Sequence, residues 1–256
     1  MKRVLLLWIA LVGAGFARAE EITVAAASDL QFALDAVIAA FRAQEAEAAV
    51  RVVYGASGNI NAQISQGAPY DLYFSADISY PQALQQAGLA ASEVRPYALG
   101  HLVLWSLRED ISQLAWQELT DPRFRRIAIA NPQHAPYGRR AREVLQNTGI
   151  WQQLQERLVL GDNIAQTAQF VQSGNADAGF VALSLVMAPS LRGKGWYRAV
   201  PAELHEPLLQ GYIVTRRAQD SALAWRFADF IESEAARQIL RDYGFALPSA
   251  AAHDAD

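Results

Sequence analysis

Along the chain, short β-prone apolar runs alternate with stretches in which apolar residues recur every three or four positions. Residues 22–27 (ITVAAA) read as a strand, and Phe32, Leu34, Val37, Ile38 and Phe41 then mark one face of a helix. VRVVYG (50–55) is a second strand, followed by a helix in SGNINAQISQG that Gly67 stops. DLYFSA (71–76) is a third strand, and Asp77 is expected to cap a helix that ends near Gly88. Strands separated by helices predict βαβ units and a mostly parallel sheet.

From GHLVLWSL (100–107) the same alternation starts again. RRIAIA is a strand, YGRRAREVLQNTG a helix, ERLVLGDNIAQTAQFVQSGNA a strand, turn and helix, and AGFVAL a strand. QGYIVT (210–215) then leads into two closing helices that end at RDYGFALP. No linker rich in Pro, Gly or Ser separates the halves, and no internal repeat stands out. The expected organisation is two α/β lobes joined by strand crossovers. Residues 20–99 with 213–256 would form the first lobe, and residues 100–212 the second.

The first nineteen residues stand apart. Lys2 and Arg3 precede an uncharged run from Val4 to Phe16, and ARA at 17–19 fits a small-residue cleavage site. These are the parts of a secretory signal peptide, and the run is too short to span a bilayer. Cleavage after Ala19 would remove Lys2, Arg3 and Arg18, taking the formal net charge from −4 to −7. A mildly acidic mature chain carries no electrostatic footprint for nucleic acid. The sequence holds no cysteine, which excludes disulfides, thiolate metal sites and a lipid-modified cysteine. The expected product is a soluble, exported, periplasmic protein.

Open α/β sheets bind ligands beyond the carboxyl ends of their strands, where helix N-termini present unpaired N–H groups and partial positive charge. Four junctions have those ingredients. AAASDL puts Ser28 at the first, YGASGNI puts Ser57 between two glycines, APYGRRA leaves the Tyr137 N–H near a helix start, and GDNIAQ opens another helix at Asp162, Asn163 and Ile164. Singly, each has an ordinary explanation: Ser28 and Asp162 are common N-cap types, Gly-Ala-Ser-Gly is common turn composition, and Arg139 and Arg140 suit a solvated helix face. Two junctions in each half point to a shared purpose.

Enzymatic patterns are weak by comparison. Neither serine lies in a G-x-S-x-G elbow, and the histidines at 101, 134, 205 and 253 lack ligand spacing. RGKGWY at 192–197 has the wrong glycine spacing for a phosphate loop. The residues favour binding over chemistry. An exported hydrolase using Ser28 or Ser57 is the alternative from another class.

ITVAAASDL, GASGNINAQI, GAPYDLYFSAD, NPQHAPYGRRAREVL, GDNIAQTAQFVQSGNADAGFVALS and RDYGF resemble, in order and from about residue 22 to 247, the periplasmic molybdate-binding proteins of ABC transporters. The resemblance implies a two-lobed periplasmic-binding-protein fold with a tetrahedral dianion in the inter-lobe cleft. It implies hydroxyl and backbone donors from Ser28 and Ser57, backbone N–H donors from Tyr137 and Ile164, and from Asp29 only its N–H, with the carboxylate turned away. Many members have a tyrosine at the strand end where Ala182 stands, so one donor is absent; the alternatives are that Tyr137 supplies or shields that space, that a water fills it, or that the site is simply weaker. No cofactor is implied beyond the ligand, molybdate or tungstate; the partner is a membrane permease and the chain a monomer. Phosphate, arsenate or sulfate is the alternative ligand.

Overall fold

The computed structural model describes residues 20–248; the expected signal peptide (1–19) and the last eight residues lie outside them. The first β-prone run forms β1 (Glu21–Ala27), then α1 (Gln31–Arg42), β2 (Ala49–Gly55), α2 (Ser57–Ser65), β3 (Leu72–Ser75), α3 (Ser79–Gln86) and β4 (Arg95–Gly100). β5 (Leu102–Ser106) and β6 (Ile127–Ala130) follow, with α4 (Pro136–Asn147), α5 (Trp151–Leu154), β7 (Leu158–Gly161) and α6 (Ile164–Gln172). The chain continues through β8 (Ala178–Ala182), α7 (Leu183–Val186), β9 (Trp196–Ala199), β10 (Leu208–Val214), α8 (Ala222–Ile231) and α9 (Glu234–Asp242).

These strands make two five-stranded mixed sheets, ordered β2-β1-β3-β10-β4 and β7-β6-β8-β5-β9. β1 runs parallel to β2 and β3, and β6 parallel to β7 and β8, as βαβ alternation predicts. The remaining pairings, β10 with β3 and β4 and β5 with β8 and β9, are antiparallel. The sheets therefore share one plan, three parallel strands and an antiparallel flank, although the sequence shows no repeat.

The strands that pass between the sheets are the ones periodicity located least well. The outward crossing falls between β4 and β5, at Gly100–His101, close to the expected boundary. The return crossing corrects the expected one: Leu208–Val214 pairs wholly within the first sheet, so the second lobe ends before Leu208 rather than at residue 212. β4 and β9 were not expected as strands. β9, WYRA, is an exposed edge without an apolar alternation to announce it.

Amphipathic packing explains the helices. α1 buries Ala33, Leu34, Val37, Ile38 and Phe41 against the first sheet, and Phe41 meets Phe227 edge-on at 5.1 Å and Phe230 at 5.3 Å. Val24, Ala25 and Ala26 of β1 are fully buried, as a central strand covered on both faces requires. A separate core fills the second lobe around Trp105, Phe124, Phe180 and Leu145. β1, β2, β6 and β7 all point their carboxyl ends at the space between the lobes.

Candidate functional site

Where those strands end, a small cavity is lined by Ala27, Ser28, Asp29, Gly55, Ala56 and Ser57 from the first lobe, with Ala76 beside them. Ala135, Pro136, Tyr137 and Ile164 close it from the second. The structure thus brings Ser28, Asp29, Ser57, Tyr137 and Ile164 to one place. It does not bring Ala182, which is buried at the end of β8, pairs with Leu102 and starts α7.

The helix starts around this cavity are left open. Residues 28–30 form a single 3-10 turn whose N-cap, Ala27, has no side chain to cap with. α2 and α4 follow Ala56 and Ala135, again without a side-chain cap, and Pro136 occupies the first turn of α4, where no N–H is needed. Alanine at each cap leaves the first N–H groups of the turn for a ligand. α6 differs: Asn163, not Asp162, is its N-cap, accepting from the Gln166 N–H at 3.0 Å. Gln166 reciprocates by accepting the Asp162 N–H at 2.6 Å.

Ser28 is therefore no cap of its own helix. Its hydroxyl crosses the cleft, donating to Asn163 Oδ1 at 3.2 Å and accepting from the Ala165 N–H at 3.3 Å. Ser57 Oγ accepts the Ala76 N–H at 3.0 Å, which leaves its O–H as a donor. The lobes also touch where the Gly58 N–H donates to the His134 carbonyl at 2.9 Å. A Cβ on Gly58 would stand 2.8 Å from that carbonyl oxygen, so the approach needs glycine.

Asp29 is the one charged side chain lining the cavity. Its Oδ2 accepts from Gln210 Nε2 at 2.7 Å, while the buried Oδ1 has no hydrogen-bond partner. Tyr97 donates to Gln210 Oε1 at 2.5 Å, which fixes the amide so that its NH₂ faces Asp29 and, at 3.3 Å, Tyr137 Oη. Burial raises the Asp29 pKa to about 6, opposed by the Gln210 amide, the adjacent Tyr137 hydroxyl and backbone N–H groups. Burial, then the nearby Asp29 charge, pushes both phenols well up. The Tyr137 ring is fully enclosed. Its hydroxyl lies over Gly100, where a Cβ would come within 2.3 Å of it. The side chain thus fills the crossing between lobes, while its backbone faces the cavity.

Arg139 and Arg140 do not line the cavity. Arg140 departs from the solvated face expected of it: it is buried and bonded to Glu143 at 2.5 Å and Glu206 at 3.0 Å. Arg139 reaches across the cleft rim to Asp77. Asp77 itself lies one residue ahead of the N-cap, Ile78, and holds the Ser79 N–H and hydroxyl at 2.9 and 2.6 Å. Gln210, Tyr97 and Asn163 were not singled out as site residues by sequence reasoning. Only the Asn in GDN, an N-cap type before an apolar helix, carried a signal.

A pocket without a cationic side chain, ringed by helix starts, suits a small anion held by hydrogen bonds. The model for bacterial extracellular solute-binding proteins matches residues 22–246. The chain is 34% identical over 245 residues to the molybdate-binding protein ModA of Azotobacter vinelandii, covering 92% of this chain and 95% of that one. It is 37% identical over 200 residues to ModA of Rhodobacter capsulatus, covering 77% of each. The solved periplasmic molybdate-binding protein of Azotobacter vinelandii superposes with a TM-score of 0.84 at 34% identity, over 89% of this chain and 99% of that one.

Proposed function

The chain belongs to the bacterial extracellular solute-binding proteins, and from that premise we propose that it captures molybdate, and tungstate with it, for delivery to a membrane ABC permease. The observation that carries the reading is the convergence of four helix starts on one cavity without a cationic side chain. The relatives' names agree with it. Export to the periplasm is supported by the amino-terminal pattern of the sequence and by the periplasmic setting of the solved relative.

Donors come from the backbone at Ser28, Asp29, Ser57, Tyr137 and Ile164 and from the Ser57 hydroxyl; the Ser28 hydroxyl joins them only by giving up Asn163. Hydrogen bonds to a charged group contribute about 1.5–3 kcal/mol each, so about six of them outweigh the losses of dehydration and ordering. A net of about −8 to −12 kcal/mol corresponds to micromolar to nanomolar affinity. Closing the lobes around the anion turns occupancy into a shape that a permease reads. Sulfate has the same charge and shape but a smaller radius, so a fixed donor ring separates it by size. Molybdate and tungstate are too alike to separate.

A second reading, phosphate or arsenate, is favoured by Asp29 alone, whose unpartnered Oδ1 would accept the proton such anions carry. Thermal unfolding of residues 20–256 with each anion distinguishes them. At a thousandfold its dissociation constant a ligand adds about 4 kcal/mol, which for this size raises Tm by roughly 8–16 °C. A shift with molybdate and tungstate but not sulfate or phosphate supports the first reading. A shift with phosphate alone replaces it with the second.

A further inference from the structure

We propose that Arg139, Asp77 and Tyr80 form a clasp across the cleft rim that holds the loaded protein closed and sets its release rate without touching the ligand. The inference rests on the cleft being an anion-binding site, whichever oxyanion fills it. Arg139 Nη2 donates to Asp77 Oδ2 at 2.5 Å, and its guanidinium lies 5.2 Å above the Tyr80 ring. Asp77 and Tyr80 belong to the first lobe, in the turn after β3 and in α3. Arg139 belongs to the second, in the first turn of α4. None of the three lines the cavity.

Two features set this pair apart from an ordinary surface ion pair. First, one end is already fixed. Asp77 Oδ1 is held by the Ser79 N–H and hydroxyl, the Asp77 N–H donates to Ser75 Oγ at 3.2 Å, and the next residue, Ile78, donates its N–H to the Leu209 carbonyl of β10 at 2.9 Å. Little side-chain freedom remains to be lost when Arg139 arrives. Secondly, Arg139 lies two residues from the Tyr137 N–H on the same helix. A movement that seats the start of α4 on a ligand therefore also seats the guanidinium on Asp77. Ligand contact and clasp are consequences of one rigid-body displacement, so opening breaks both.

The clasp acts on release more than on capture, because its contacts form only once the lobes meet. The test uses the chain without its first nineteen residues and whichever of molybdate, tungstate, sulfate or phosphate stabilises the wild type. Release is followed by stopped-flow tryptophan fluorescence in wild type, R139A, D77A, the double variant and R139K. R139A and D77A should each speed release about threefold to tenfold, with association rates within about twofold. The double variant should release no faster than the worse single one. R139K, which keeps the charge but loses the flat stack on Tyr80, should recover part of the slow release. Tm without ligand should stay unchanged in R139A and R139K, since open lobes do not make the contact. D77A and the double variant also lose the hold on Ser79, so they should lose about the same Tm as each other without ligand.

Unchanged release in both single variants, additive effects in the double variant, or an equal loss of Tm with and without ligand in R139A would each overturn the clasp. Molybdate failing to bind while another anion binds would remove the ligand assignment and leave the clasp testable on that anion. A wild type stabilised by none of the four overturns both.

Discussion

On the β1 and β2 side of the cleft, side chains reach the cavity: the hydroxyls of Ser28 and Ser57 and the carboxyl of Asp29. On the β6 and β7 side the wall is Ala135, Pro136, Tyr137 and Ile164, which bring no polar side chain except the Tyr137 phenol, itself turned to the crossing between lobes. The two sheets share a plan, yet on the proposed reading one wall offers side-chain groups that substitution can remove and the other offers backbone that it cannot. Such a wall asks only that the first N–H groups of its helices stay free, as Ala135 leaves those of α4, and that the side chains stay small or turn away, as Tyr137 does. The polar wall carries the means to discriminate, and also the cost of a buried acid.

That cost gives the largest expected effect. The Asp29 carboxyl titrates near pH 6 in the folded chain instead of its ordinary 3.8, so between those values the folded state holds more protons than the unfolded one. Stability therefore falls as pH rises through this window; the full penalty is present above about pH 6 and absent below about pH 4. At pH 7.5 it is on the order of 3 kcal/mol. Asp29→Asn, which keeps an acceptor for Gln210, should raise Tm by roughly 6–12 °C at pH 7.5 and by little at pH 4. Equal gains at both pH values would show that charge is not the cause.

Ser57→Ala tests the polar wall directly. It removes a donor to the anion, about 1.5–3 kcal/mol, so calorimetric titration should show affinity falling about tenfold to a hundredfold. Gly58→Ala tests whether the walls must meet. Its methyl would press on the His134 carbonyl across the cleft; at about 1–3 kcal/mol for overpacking, affinity should fall about fivefold to a hundredfold. The unliganded Tm should fall much less, because open lobes leave the methyl clear of His134 and only the movable Tyr80 hydroxyl, also 2.8 Å away, has to give. Tyr137→Phe is the smallest change: it keeps the backbone N–H and loses the long contact to Gln210 and the hydroxyl's influence on the Asp29 carboxyl. Affinity should move by less than about 1 kcal/mol, within fivefold. A large loss there would mean that the phenol, not the backbone, works at this wall.

Ser28, Ser57, Tyr137 and Ile164 could be found from sequence because each sits at a strand-to-helix junction, and junctions are written locally in Gly, Pro, Ser and Asn. The crossings between lobes were less legible. β4 and β10 are one pairing separated by over a hundred residues, and nothing in QGYIVT reveals that its strand begins at Leu208. At Ala182 the sequence predicts a missing donor, yet the residue does not line the cavity; the helix that follows β8 instead supports the cavity from behind, Ser184 donating to the Asp29 carbonyl at 2.7 Å.

The sequence by itself determined the alternation of strands and helices, the open helix starts and the anion chemistry they offer, since these follow from side-chain periodicity and caps within a few residues. Only the tertiary structure decided which groups meet. Ser28 finds Asn163 across 135 positions, Asp29 finds Gln210 across 181, and Arg139 finds Asp77 across 62. Such partners are brought together by the packing of two lobes. Their energetic meaning, a raised acid or a closed rim, comes from burial that no local pattern specifies.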